Sequence, residues 1–158
     1  MFDLLTFSVL FVIGVIASIT DIRERKIYNL LTYPSMILGF VLWSVFAGAD
    51  GLITSLIGFA IAFGIFLIIF LFGGFGAGDV KYSAAIGAIM GYPMVVNWIV
   101  ISAIVGGLFA LALLIRFRLK KAERFEMKES LFIPFGPPMT LAVFITYGYN
   151  FYINGFHL

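Results

Sequence analysis

The chain has 158 residues, of which 63% are hydrophobic and only 11% charged, with no cysteine and a single histidine, His157. A soluble domain carries about 25% charged residues, so this composition requires lipid rather than water around much of the surface. The missing cysteines exclude disulfides, thiolate metal sites and thiol nucleophiles, and one histidine argues against a zinc centre or a Ser-His-Asp triad. Carboxylates, hydroxyls, Lys, Arg and backbone are left to do chemistry, and no metal or other cofactor is expected. The net charge of +2 is small, and no nucleic-acid partner is expected.

Apolar runs of about 20 residues predict membrane-spanning helices. The first is expected over Leu4–Thr20. It contains no Lys or Arg, so it reads as a mature helix rather than a signal peptide. The polar stretch Asp21–Asn29 follows. A second span is expected from about Leu30 to Ala47, with Pro34 in its first turn, then a turn at Gly48–Gly51 and a third span over Leu52–Phe72. The glycine-rich segment Gly73–Lys81 leads into a short fourth span, about Val80–Gly91, rich in Ala and Gly. A fifth span is expected over Val95–Ile115, a long polar stretch over Arg116–Ser130, and a sixth span over Ile133–Ile153. The fold class is an all-α membrane protein, a polytopic bundle of about six transmembrane helices in a single domain, 1–158.

The stretches after spans one, three and five hold Arg23, Arg25, Lys26, Lys81, Arg116, Arg118, Lys120, Lys121, Arg124 and Lys128, which is all 10 basic residues. The other side has Asp3 and Asp50. The positive-inside rule puts both termini outside and the polar stretches in the cytoplasm of a multi-pass plasma-membrane protein. Arg116–Ser130 reads as an interfacial helix on anionic headgroups. Its acids Glu123, Glu126 and Glu129 are alternatively a meeting point for a basic substrate segment.

Ionisable groups near membrane depth are costly and mark function by default. Asp21 closes the first span and Asp79 opens the fourth, so the topology puts both carboxylates at one membrane face. Two adjacent carboxylates share a proton, and such a pair activates water with one member and hydrogen-bonds a scissile carbonyl with the other. The structural alternative is that Asp21 pairs with Arg25 at i,i+4 and Asp79 caps its helix. Gly73, Gly74, Gly76 and Gly78 give room for an extended peptide beside Asp79, or serve tight helix packing. Ile133-Pro134-Phe135-Gly136-Pro137-Pro138 fixes an extended entry to the last span. It is either punctuation or a rigid lip bordering the site.

These residues carry a resemblance. Gly76-Ala77-Gly78-Asp79-Val80-Lys81 resembles the G-x-G-D-x-K pattern of type IV prepilin peptidases. Asp21, with the basic residues after it and Ile27-Tyr28-Asn29, resembles the family's first aspartate segment, in which Ile-Pro-Asn is common and Tyr28 is a departure. Ile133 to Pro137 is similar to the family's I-P-F-G-P block. The resemblance implies an aspartic endopeptidase that removes the short basic leader of prepilin-like proteins, cutting after a Gly at the cytoplasmic face of the membrane. Asp21 and Asp79 would be the catalytic pair, and Gly76, Gly78, Lys81, Pro134 and Gly136 would border the substrate. Larger members carry a cysteine-bearing insert linked to N-methylation. Its absence implies cleavage without methyl transfer, as in the compact peptidases of tight-adherence (Flp-type) pili. Archaeal preflagellin peptidases share the chemistry. Beyond these, paired acids also suit a small proton-coupled transporter, a presenilin-like protease that cuts within its substrate's span, or a scaffold whose acids are structural.

Overall fold

A computed structural model describes residues 2–120 and 134–154 of the chain. Ile133, the acids Glu123, Glu126 and Glu129, the basic Lys121, Arg124 and Lys128, and His157 lie outside the described residues. Five helices follow in order: α1 (Phe2–Glu24), α2 (Asn29–Leu71), α3 (Ala77–Met90), α4 (Met94–Lys120) and α5 (Gly136–Asn154). Among the described residues three stretches, Phe2–Glu24, Asn29–Leu71 and Met94–Arg116, are long and apolar enough to cross a membrane. The protein is an all-α membrane protein.

α2 folds back on itself. Ala47 (φ −132°, ψ 15°) and Gly48 (φ 60°, ψ −143°) leave helical geometry, the latter in the left-handed region that favours glycine. The rings of Phe40 and Phe59 then lie 5.6 Å apart, whereas an unbroken helix would separate these positions by roughly 28 Å. Residues 29–46 and 49–71 are therefore two arms of a helical hairpin, corresponding to the expected second and third spans. The turn is confined to Ala47–Gly48, with Gly51 already helical. Pro34 falls in the second turn of α2 rather than the first, because the helix begins at Asn29. The carbonyl it leaves without a helical partner belongs to Leu30, a residue 86% exposed.

α3 packs against both arms of the hairpin. A Cβ on Gly39 would stand 2.7 Å from the Ala88 carbonyl carbon, and one on Gly58 would stand 2.8 Å from Gly91 Cα. Backbone meets backbone at both contacts. Trp43 Nε1 donates to Ile89 O at 3.0 Å, and Ser55 Oγ donates to Ala88 O at 2.5 Å. Every residue from Tyr82 to Met90 is buried. α3 is thus a helix surrounded by protein, and its small residues let the arms approach. α5 packs on α1 and α4, with Tyr147 Oη donating to Thr6 Oγ1 at 3.0 Å.

The interior mixes large apolar residues such as Trp98, Ile86 and Leu10 with small ones, Ala17, Ala84, Ala85, Ala88, Thr32, Ser55 and Ser83, while Phe11, Val12, Val45, Ile68, Ile104 and Leu108 face outward. Close packing of small residues is how helices associate where the surroundings are already apolar.

The expected fifth span, Val95–Ile115, agrees with the apolar stretch Met94–Arg116, and helix α4 runs on past it to Lys120, since Leu, Arg and Lys are good helix formers. α5 begins at Gly136 rather than Ile133, and Pro137 and Pro138 fall in its first turn, where a missing N–H breaks no helical bond.

Candidate active site

The inward stripe of α1 is Thr6, Leu10, Ile13, Gly14, Ala17 and Asp21. Its spacing of three and four residues follows the helical repeat. Asp21 therefore points into the bundle like the apolar residues before it, and is only 4% exposed. Asp79 comes from a different element. Gly76 (φ −82°, ψ 156°) is the N-cap of α3, and Asp79, three positions on, turns its side chain back to it. Gly76 N–H donates to Asp79 Oδ2 at 2.9 Å, the reach-back half of a capping box. Asp79 is likewise buried.

Asp21 receives a matching bond from the far end of the chain. Gly136 N–H donates to Asp21 Oδ2 at 2.7 Å. Gly136 is the first residue of α5, so this is one of the helix's free N-terminal donors. The approach leaves no room for a side chain, since a Cβ on Gly136 would stand 2.9 Å from Asp21 Oδ2. Each carboxylate thus has its Oδ2 held by a glycine N–H. Among the described residues neither Oδ1 has a hydrogen-bond partner and no buried side-chain oxygen is unsatisfied, so each Oδ1 keeps some exposed surface.

A cavity of about 320 Å³ is lined by Asp21, Asp79, Gly76, Gly78 and the turn Arg25–Asn29. Arg25 has a positive φ of 56° and donates its N–H to Asp21 O at 3.1 Å, which reverses the chain at the end of α1. Ile27 then packs under Gly78, whose added Cβ would lie 3.4 Å from Ile27 Cβ. Asp79 precedes the apolar run 80–91. Burial pushes its carboxyl up to about 6, the Gly76 N–H pulls the other way, and the nearby Asp21 charge adds to the rise.

One turn deeper, a buried hydroxyl cluster ties the same three helices. Ser18 of α1 donates to Thr140 Oγ1 at 3.0 Å, and Tyr82 Oη of α3 lies 2.8 Å from the same atom. The single Thr140 proton goes to the carbonyl of Gly136 (2.9 Å) or Gly14 (3.2 Å), so Tyr82 is the donor to Thr140. Ser18, Tyr82 and Thr140 stand three, three and four residues from Asp21, Asp79 and Gly136. The cluster therefore sets the relative height of the elements that carry the carboxylates.

The other residues expected from sequence divide. Gly76 and Gly78 line the cavity beside the two acids. Gly136 contacts Asp21 directly. Lys81 Nζ donates to Asn29 Oδ1 at 2.9 Å and lies 5.5 Å from the centre of the Tyr33 ring, so it joins α3 to the start of α2. Pro134 is half-buried and does not line the cavity. Sequence reasoning missed the Ser18–Tyr82–Thr140 cluster, and it missed Phe75 and Phe135, whose rings meet edge to face at 4.4 Å. Each phenylalanine directly precedes one of the two glycine donors, but no pattern along the chain pairs the rings.

The fold and this site define a helical membrane protein with two buried carboxyl groups on one cavity. Residues 8–111 match the model of the Type IV leader peptidase family, and the chain belongs to that family. Membership makes it a peptidase, with prepilin-like proteins as its general class of substrate. The match covers Asp21 and Asp79, while Gly136 lies beyond it. No curated protein and no solved structure matches the chain.

Proposed function

We propose that the protein is an aspartic endopeptidase that removes the short basic leader of prepilin-like proteins, with Asp21 and Asp79 as the catalytic pair. The observation that carries this reading is the placement of two buried carboxylates on one cavity, each with Oδ2 held by a glycine N–H. The ionised member takes a proton from a water molecule as the water oxygen attacks the scissile carbonyl carbon. The protonated member donates to the carbonyl oxygen. The tetrahedral intermediate then collapses, the C–N bond breaks, and the amine leaves with a proton returned from the pair. The titration belongs to the pair, so neither Asp is assigned as the base.

Gly76 and Gly78 flank the cavity, where an extended segment of substrate backbone would lie. In this reading the helical segments form six spans, counting the two arms of α2 separately, with both termini outside. The cavity then opens at the cytoplasmic face, beside Arg23, Arg25 and Lys26. Residues 80–91 count as the short fourth span because neighbouring helices, rather than lipid, surround them. Hydrolysis proceeds without methyl transfer, consistent with a chain that has no cysteine.

The test uses purified protein and a prepilin with a basic leader and a Gly at the cut position. Wild type cuts after that Gly, and Asp21→Asn and Asp79→Asn each abolish cutting while the protein stays folded. Normal cutting by both variants would overturn the assignment.

A further inference from the structure

Asp21 and Asp79 sit on separate helices; Asp79 is held by the N-cap of its own helix, Gly76, and Asp21 by Gly136 at the start of α5. Phe75 precedes Gly76, whose N–H holds Asp79 at 2.9 Å. Phe135 precedes Gly136, whose N–H holds Asp21 at 2.7 Å. The Phe75 and Phe135 rings meet edge to face, with centroids 4.4 Å apart and planes at 73°, an orientation that aromatic quadrupoles favour. Each ring is thus one peptide link from a donor that fixes a carboxylate.

The contact is anchored from behind. Phe75 packs on Phe66 at 5.2 Å, Phe66 stacks on Trp98 at 5.6 Å, and Trp98 Nε1 donates to Met139 O at 3.1 Å. Met139 N–H in turn donates to Phe135 O at 3.1 Å. The series starts at Phe135 just before α5, crosses to Phe75 just before α3, passes through α2 and α4, and reaches α5 at Met139. Neither phenylalanine lines the cavity that holds the carboxylates; both line a separate apolar cavity of about 90 Å³ between α2, α4 and α5.

We propose that the Phe75–Phe135 ring contact is a positioning clamp that joins the two glycine donors and so sets the spacing of Asp21 and Asp79. Its catalytic consequence rests on the protease reading. The clamp itself is a statement about geometry and is testable without cleavage. Because neither ring reaches the carboxylate cavity, loss of the clamp acts on the reacting geometry and not on the binding of substrate.

The experiment compares Phe75→Leu, Phe135→Leu and the ring-preserving Phe135→Tyr, whose added hydroxyl has the 90 Å³ cavity beside it. In the cleavage assay the two leucine variants lose about tenfold or more in kcat at unchanged KM, as a displaced reacting group does. Phe135→Tyr keeps most of the rate. A second readout uses the absence of native cysteine. Spin labels on Ala77→Cys and Leu141→Cys, both exposed positions on α3 and α5, report the distance between the two donor segments. The parent gives one narrow distribution and the leucine variants a broader, longer one. Leucine variants that keep both the distance and kcat, or that lose rate only in proportion to loss of folded protein, overturn the clamp. If Asp21→Asn and Asp79→Asn still cut, or wild type does not cut, the protease reading fails, and the label distances alone decide the clamp.

Discussion

Gly136 donates its backbone N–H to Asp21 Oδ2 at 2.7 Å, joining the first residue of α5 to the last buried residue of α1. An added Cβ at Gly136 would stand 2.9 Å from that oxygen and 3.0 Å from Asp21 Cβ. Gly136→Ala therefore displaces the carboxylate. The expected result is a loss of about a hundredfold in cleavage rate with little change in helix content, measured by cleavage assay and circular dichroism. Gly64→Ala, a helical site with nothing within 4 Å of the added Cβ, is the control and keeps full rate. Equal activity in the two variants would contradict the geometry.

The hydroxyl cluster predicts an order of stabilities. Thr140→Val removes the acceptor for both Ser18 and Tyr82. Tyr82→Phe removes one donor and leaves Thr140 its bond from Ser18. Thr140→Val should cost about 1–2 kcal/mol and Tyr82→Phe less, read from denaturation in detergent. The reverse order would mean that the cluster does not hold α1, α3 and α5 together.

Where α3 meets the hairpin, backbone blocks any side chain. Gly39→Ala would put a Cβ 2.7 Å from the Ala88 carbonyl carbon, and neither helix can yield without parting. A stability loss of about 1–3 kcal/mol is expected. Gly64→Ala should instead gain about 0.5–1 kcal/mol from lost chain freedom. Thermal unfolding of the two variants side by side decides whether the close approach is real.

The pH dependence follows from Asp79, whose carboxyl burial raises to about 6. A reaction that needs one proton on the pair loses it as pH rises through that value. The kcat/KM profile, which reports the free enzyme, should therefore fall on its alkaline side with a midpoint near 6. A flat profile between about pH 5 and pH 8 would show that no shared proton is required.

Asp21 was legible in the sequence as an ionisable residue that closes an apolar span, and the helix sends it inward in register with Thr6, Leu10, Ile13 and Ala17. The reach of Asp79 to Gly76 was also local, a cap three residues long. The bond from Gly136 was not legible. Nothing in a Gly-Pro-Pro helix start says which side chain its free N–H will meet, and the sequence supported punctuation as well as a lip at the site. The contacts of Lys81 with Asn29 and Tyr33 of α2 were not legible either. The shortness of α3 also became intelligible only with the hairpin around it.

By itself the sequence determined the membrane environment, the helical class and the two carboxylates, since hydropathy and periodicity act along the chain and need no partner. The tertiary structure decided what those carboxylates touch. The Gly136 donor to Asp21, the hydroxyl cluster beneath the pair and the ring contact beside it join segments remote in sequence. Such pairings depend on which helix faces close against each other, and that is set by small residues at backbone contact rather than by any local pattern.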